Sequence, residues 1–341
     1  MSSQAKAAPA AWSAPADLPI VEANGLFFLA DPHLAATPPG QRLEGYGEQV
    51  MEKVRAGLAR ARELGMAVVV CGDLFHWPRE NPNALLVAII DLFRAHDVPC
   101  KPWVLVGNHD KYQARYTPDV SMAVLDAAGV IHLMAEPGPQ FRLRVPAHAP
   151  GGPAEAVVGA SPDMAPLPGA FARAEAEAVL WVTHHNIGFP DYEFKPIKPH
   201  EIPGVDWIVN GHIHRPQPMV ITGGTRWVNA GGMVRLTFSR RAMERRPAAR
   251  FWTPGCAELG TWDVPIQPFS EVFPDQDFPE EDAGGDRESL FLQGLERLAW
   301  RRTRQGEGLK QFLQDNLTQD TAAERLIWEL YEEATHGEPN G

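Results

Sequence analysis

Polar clusters of the kind that bind metal ions recur at five places in this 341-residue chain. They combine carboxylate, amide and imidazole groups, a mixed ligand set that suits manganese, iron or zinc rather than calcium. The spacing in Asp31/His33 and in His212/His214 directs both side chains of a pair to one side of an extended segment. In chain order the clusters are Asp31-Pro32-His33, Gly72-Asp73, Gly107-Asn108-His109-Asp110, His184-His185 and Gly211-His212-Ile213-His214.

Each polar cluster follows a short apolar run bounded by turn residues. The runs are 25–30, 66–71, 102–106, 178–183 and 205–210. Continuous apolar runs of this length predict strands buried on both faces of a sheet. Residues 46–64 and 83–96 instead place apolar side chains at helical spacing, so the chain is expected to form an α/β domain with partly parallel strands. Because ligands gather outside the carboxyl ends of such strands, the five clusters are predicted to converge on one site.

No single cluster is a strong signal. A Gly-Asp pair such as Gly72-Asp73 is far more often a turn than a ligand, and an isolated D-x-H or G-H-x-H is also weak. His76, three residues after Asp73, is on its own equally well explained by packing or by a helix start. All five clusters in this order, each after a predicted strand, are together a strong indication of a metal centre.

The ordered series D-x-H, G-D, G-N-H-D, H and G-H-x-H over residues 25–233 resembles the metallophosphoesterase (calcineurin-like phosphoesterase) superfamily. The resemblance implies a β-sandwich flanked by helices and a site for two divalent metal ions. It implies that Asp73 bridges the ions and that His185 supports the site from outside the ligand set. It also implies that His109 stabilises the transition state or donates a proton, and that Asp110 orients His109. One ion would be held by Asp31, His33, Asp73 and His214, and the other by Asp73, Asn108, His184 and His212.

The charges of such a site predict its chemistry. Two divalent ions against two carboxylates leave a positive site that attracts a phosphate ester. A hydroxide that bridges the ions has a pKa lowered towards neutrality and attacks phosphorus in line, while His109 protonates the departing oxygen. This reaction requires no serine or cysteine nucleophile.

The segment GDLFHWPRENPNA (72–84) is similar to the GDLFH-x-x-x-P block of the SbcD nuclease family. In that family the histidine three residues after the bridging aspartate, here His76, helps to position the scissile DNA phosphate. The segments 211–217 and 227–240 resemble a second conserved block, although Gly231-Gly232-Met233 replaces a Gly-Ser-Pro element. The resemblance implies a Mn²⁺-dependent DNA exonuclease or endonuclease, with iron, zinc or cobalt as other possible metals.

Two other functions stay open at this stage. A small-molecule or cyclic-nucleotide phosphodiesterase would use the same ligand set, and the basic segments would then be incidental to its function. A scaffold subunit that binds metal and cleaves little is the least expected, because the ligand set is complete.

The composition describes an ordinary globular chain with an acidic balance. The formal net charge is −12, yet arginines crowd residues 235–250 and 296–304. The former stretch predicts either a solvated loop or phosphate contacts. Three scattered cysteines favour a reducing cytoplasm, and no apolar run approaches the ~20 residues of a membrane span. The candidate nucleic-acid contacts are Arg240, Arg241, Arg245 and Arg246.

The chain is expected to divide into five segments. They are a disordered leader (1–20), a catalytic domain (21–235), a small β cap (236–270), an acidic linker (271–288) and a helical C-terminal region (289–341). The C-terminal helices have amphipathic spacing and could bind an SMC-like ATPase subunit or pack on their own domain. Related nucleases are often homodimers, but no feature of the sequence requires a dimer here.

Overall fold

A computed structural model describes residues 11–96, 99–152, 154–174, 177–192 and 196–275. The chain divides into two units, Met1–Lys111 with Tyr116–Pro279 and Tyr112–Arg115 with Glu280–Gly341. Of the second unit, only residues 112–115 are described, and Tyr112 and Arg115 pair there through their backbones. The expected helical region 289–341 lies outside the described residues. All features below belong to the first unit.

Within the described residues the chain forms fifteen strands and five helices. The strands are β1 (Ala11–Ser13), β2 (Ile20–Glu22), β3 (Leu26–Leu29), β4 (Ala67–Val70), β5 (Trp103–Leu105), β6 (His132–Met134), β7 (Gly138–Val145), β8 (Ala154–Ser161), β9 (Ala170–Ala172), β10 (Ala178–Thr183), β11 (Trp207–Asn210), β12 (Val220–Thr222), β13 (Thr225–Asn229), β14 (Ala248–Trp252) and β15 (Gly260–Asp263). The helices are α1 (Tyr46–Leu64), α2 (Asn83–Arg94), α3 (Ser121–Ala127), α4 (Arg240–Glu244) and α5 (Phe269–Val272).

The strands form two large mixed sheets and one small pair. The six-stranded sheet has the order β15-β14-β3-β4-β5-β6, and β3 to β6 run parallel. The seven-stranded sheet has the order β12-β13-β11-β10-β8-β7-β2, in which β8, β10, β11 and β13 are parallel. Strands β1 and β9 form the third sheet. The five predicted strands, the helices near 46–64 and 83–96, and the partly parallel order are therefore confirmed.

One hydrophobic cluster contains side chains from both large sheets. Phe28 and Val69 come from the six-stranded sheet, and Val158 and Leu180 come from the seven-stranded sheet. Along β10 the next residue, Trp181, belongs to a different cluster. Successive side chains of a strand point to opposite faces, so β10 is buried on both, which explains its continuous apolar sequence.

The α1 helix is followed by a position whose backbone conformation only glycine adopts without strain. Gly65 has a left-handed backbone with φ 63°, and its N–H bonds back to the last turn of the helix. This glycine cap reverses the chain so that β4 begins two residues later beside β3. The βαβ unit that delivers Asp31 and Asp73 to one edge therefore depends on a short, well-defined turn.

Three expected boundaries differ from the structure. Residues 11–20 are not a disordered leader, because β1 pairs with β9 and Trp12 packs against Trp181 at 6.4 Å between ring centroids. The expected small β cap contains the antiparallel pair β14 and β15, but backbone pairing of β14 with β3 makes it an extension of the six-stranded sheet. Residues 272 and 273 of the expected linker are buried, because Phe273 packs on Phe269.

None of the helices in the described ranges is long and apolar enough to cross a membrane.

Candidate metal centre

Five of the predicted ligands lie within three residues of the ends of parallel strands of both large sheets. Asp31 follows β3, Asp73 follows β4 and Asn108 follows β5, while His184 follows β10 and His212 follows β11. Left-handed backbone conformations are uncommon for residues with a Cβ and are enriched at functional sites. Four members of the cluster adopt them, with φ 50° at Asp31, 51° at His33, 49° at Asp73 and 70° at His212.

The first group of ligand atoms comes from Asp31, His33, Asp73 and His214. One atom from each lies within 4.8 Å of the others. Nε2 of His33 is 3.0 Å from Nε2 of His214 and 3.7 Å from Oδ2 of Asp73. The structure therefore brings together the four residues expected at one metal.

The second group comes from Asp73, His184 and His212, whose ligand atoms also lie within 4.8 Å of one another. Asn108 completes it, because its Oδ1 is 3.0 Å from Nε2 of His184 and 2.9 Å from Nδ1 of His212. Nε2 of His184 is 3.2 Å from Oδ2 of Asp73. Asp73 belongs to both groups, as a bridging ligand would.

Several atoms that face the two candidate metal positions can act as hydrogen-bond acceptors or as metal ligands. Nδ1 of His184 lies 2.8 Å from the carbonyl oxygen of Cys71, which can only accept, so Nδ1 carries the proton. Once a cation displaces the second proton, the lone pair of Nε2 would point towards Asn108 and Asp73. Oδ2 of Asp31 is buried and has no hydrogen-bond partner among the described residues. Converging acceptors fit a divalent cation, which would satisfy all of them at once.

The pKa values describe an anionic site that favours a positive charge. Burial raises the pKa of Asp31 to about 7, and the charge of Asp73 adds to this increase. Burial alone would lower the pKa of His184, but the carboxylates of Asp73 and Asp31 raise it to about 10. Metal ligands bind in their deprotonated form, so a bound cation would displace this proton and supply the charge itself.

Burial has the opposite effect on the imidazoles of the first group. Burial and the neighbouring His109 lower the pKa of His33 well below its ordinary value. Burial and Arg245 lower the pKa of His214 to about 3. Both rings are therefore neutral near pH 7, the form in which imidazole binds a metal.

Two glycines allow the backbone to approach the ligands. A Cβ at Gly107 would lie 2.1 Å from Oδ1 of Asp73, and one at Gly72 would lie 2.2 Å from Nδ1 of His184. Gly72 also has φ 95°, which other residues rarely adopt. The glycine of the GD motif is therefore required by its closeness to His184, and the glycine of the GNHD motif by its closeness to Asp73.

His76 and His109 lie together beside the first group. Their rings stack with centroids 5.1 Å apart, and Nδ1 of His109 donates to the carbonyl oxygen of His76 at 2.8 Å. Nδ1 of His76 is 3.3 Å from Nδ1 of His33. The backbone N–H of His109 donates to Oδ1 of Asp73 at 2.8 Å. The structure thus places both predicted histidines at the metal cluster.

Asp110 has a different position from the one expected. Its carboxylate accepts hydrogen bonds from the backbone N–H groups of Gly107 at 2.9 Å, Phe75 at 3.1 Å and Leu74 at 3.4 Å. The ring of His109 is oriented by the carbonyl of His76 instead. Asp110 is buried because it joins the GD loop to the GNHD loop.

Arg245 does not fit the expected role of a surface phosphate contact. Its guanidinium donates to the carbonyl oxygens of His214 and Gly232 at 2.6 Å each, and to that of Val234. It therefore braces the backbone around the GHIH motif. Arg240, Arg241 and Arg246 have exposed side chains.

Sequence reasoning missed Asn186, which follows the two histidines after β10. Its Oδ1 lies 2.9 Å from Nε2 of His212. His185 points away from the metal cluster, and its Nε2 bonds to the carbonyl of Ala165 at 2.8 Å. The sequence carries no spacing signal for Asn186, because a lone asparagine after a strand is common in turns.

The model of the calcineurin-like phosphoesterase family matches residues 26–216. This match covers more than half of the chain, and the protein belongs to that family. The family identifies it as a metal-dependent phosphoester hydrolase, and the His/Asp cluster is its candidate metal site. No match was found among curated proteins.

Proposed function

We propose that the protein is a two-metal phosphodiesterase that cleaves DNA as an exonuclease or endonuclease of the SbcD type, and that it works in the cytoplasm. The observation that carries the proposal is the position of His76. Its side chain lies against both His33 and His109, at the edge of the predicted metal site. A position beside the metal cluster supports the proposed role of His76 in positioning a scissile DNA phosphate.

Two divalent cations are proposed to bind side by side. Asp31, His33, Asp73 and His214 would hold one, and Asp73, Asn108, His184 and His212 the other. Bound there, they would supply charge for the phosphate oxygens and a nucleophile at neutral pH. The mixed oxygen and nitrogen donors favour Mn²⁺, with iron, zinc and cobalt as alternatives.

His109 is proposed to protonate the leaving oxygen. Its Nδ1 is held by the carbonyl of His76, so Nε2 is the nitrogen that would deliver the proton. The hydrogen bond from its backbone to Asp73 keeps the ring beside the metal cluster. The common core of the two large sheets, which supports a β-sandwich, would keep these groups in fixed positions.

A second function is favoured by one observation. Arg245 is occupied by backbone carbonyls, so the basic stretch offers fewer cations to DNA than the sequence indicated. With a net charge of −12, this favours a small-molecule or cyclic-nucleotide phosphodiesterase.

One assay separates these functions. The purified protein with Mn²⁺ is given labelled single- and double-stranded DNA, bis-p-nitrophenyl phosphate and cyclic nucleotides. We expect cleavage of DNA and of the model diester. Hydrolysis of small diesters with intact DNA would support the second function and exclude the first.

The partner proposal concerns residues 289–341, which lie outside the described residues. We expect that removing them abolishes binding of an SMC-like ATPase subunit and leaves hydrolysis of bis-p-nitrophenyl phosphate unchanged. Pull-down and a rate assay on the same preparation measure both. Size-exclusion chromatography with light scattering would show whether the protein is a homodimer and whether the deletion alters that state.

A further inference from the structure

Asn186 is a polar side chain beside the metal cluster that the proposed mechanism does not use. Its Oδ1 lies 2.9 Å from Nε2 of His212 and accepts a hydrogen bond of 2.7 Å from the hydroxyl of Tyr192. We propose that Asn186, supported by Tyr192, is a positioning residue that fixes the tautomer and the orientation of His212 for the second divalent cation. The inference rests on the proposed two-metal function.

The tautomer follows from the chemistry of the amide. Both ring nitrogens of His212 face amide oxygens that can only accept, Nε2 at Asn186 and Nδ1 at Asn108, each at 2.9 Å. The bond to Asn186 favours the tautomer with the proton on Nε2. In that tautomer the lone pair of the neutral ring is on Nδ1, which faces the second group of ligands. In the opposite tautomer Nδ1–H would donate to Asn108, and the nitrogen needed by a cation would be blocked. Asn186 selects the form that can bind metal.

The surrounding structure keeps Asn186 in place. Ile187 is fully buried and pairs with Ile197, and the backbone N–H of Tyr192 donates to the carbonyl of Phe189 at 3.1 Å. The Tyr192 ring packs against the hydrophobic cluster that contains Trp181. The hydrogen-bonded series His212, Asn186, Tyr192 therefore ends in a half-buried ring that packs on this cluster.

His212 is held from two sides. Its backbone N–H donates to Oδ1 of Asp31 at 2.9 Å, which connects it to the first group of ligands. Its ring is oriented by Asn186, which lies outside the ligand set. Outer partners of metal-binding histidines typically change metal affinity 10- to 100-fold when they are removed.

The test measures metal binding by the full-length protein. Isothermal titration of metal-free protein with Mn²⁺ should show two sites in the wild type. In Asn186→Ala we expect one site to keep its affinity and the other to weaken roughly 10- to 100-fold. Asn186→Asp, which keeps an acceptor, should retain tight binding at both sites. Asp191→Ala changes an exposed neighbour on the same segment and should match the wild type.

A second readout does not depend on metal or activity. Nitrogen-15 NMR of the metal-free protein should show a larger share of the Nε2–H tautomer of His212 in the wild type than in Asn186→Ala, where the contact with Asn108 favours Nδ1–H. Unchanged affinities together with an unchanged tautomer would overturn the inference. If Asn186→Ala does not fold, Tyr192→Phe carries the same test: a several-fold weaker second site supports the inference, and an unchanged one overturns it.

These outcomes differ from failure of the proposed function. A wild type that binds two ions but leaves DNA intact would contradict the nuclease function, while the role of Asn186 would stand. A wild type that binds a single ion would contradict the two-metal proposal itself, and the inference with it.

Discussion

His109 has two ring nitrogens in different surroundings. Nδ1 is committed to the carbonyl of His76, and Nε2 is the nitrogen proposed to meet the leaving oxygen. Loss of a positioned proton donor commonly costs about 10²- to 10⁴-fold in rate. We therefore expect His109→Ala to lower kcat on bis-p-nitrophenyl phosphate by about this factor while both Mn²⁺ ions still bind. Cleavage at the full rate would exclude the assigned role.

His76 lies beside His33 and His109, and its substitution distinguishes the two candidate functions. We expect His76→Ala to lose DNA cleavage and keep hydrolysis of bis-p-nitrophenyl phosphate, because the proposed role is to position a DNA phosphate. Parallel assays on the two substrates provide the measurement. If both activities persist, His76 is a packing residue and the GDLFH segment carries no information about DNA.

At the scale of secondary-structure elements, Arg245 fixes the chain that leaves β11. Its guanidinium donates to three backbone carbonyls. A hydrogen bond to a charged group typically contributes about 1.5–3 kcal/mol to stability. We expect Arg245→Ala to lower the free energy of unfolding by roughly 2–4 kcal/mol, measured in urea. The exposed neighbour Arg246 is the matched control, and Arg246→Ala should change stability by less than about 0.5 kcal/mol. If Arg245→Ala keeps the wild-type stability but binds DNA more weakly, Arg245 contacts DNA as the sequence predicted.

The same scale shows what could be predicted from the sequence. Runs of apolar residues that end in polar clusters identify strands and their carboxyl ends, so the residues of the metal cluster could be named in advance. Asp110 and Arg245 were assigned wrong roles, because their partners are backbone groups of other loops that no local pattern reveals. Strand β1 was also missed, since three residues that pair with β9 produce no periodic signal.

At the scale of the whole molecule, metal binding should be coupled to stability. Both groups of ligands combine residues from the two large sheets, and a ligand that binds only the folded state stabilises it. At Mn²⁺ about 100-fold above Kd, one site adds ~2.7 kcal/mol to the free energy of unfolding. We expect Tm to rise with Mn²⁺ and to fall in EDTA, as measured by differential scanning fluorimetry. Asp31→Asn should reduce this response, whereas a wild-type Tm independent of metal would contradict a cation site between the sheets.

His33 and His214 lie 181 positions apart in the chain, yet their Nε2 atoms are 3.0 Å apart. A nascent chain that has formed only β3 to β6 holds Asp31, His33, Asp73 and Asn108, but it lacks His214 for the first position and both histidines of the second. Contacts of such long sequence separation form late, because the loop between them must close first. Tight binding of cations therefore requires that the chain has reached its native topology. A hydrolase assembled in this way becomes active only when folding is complete.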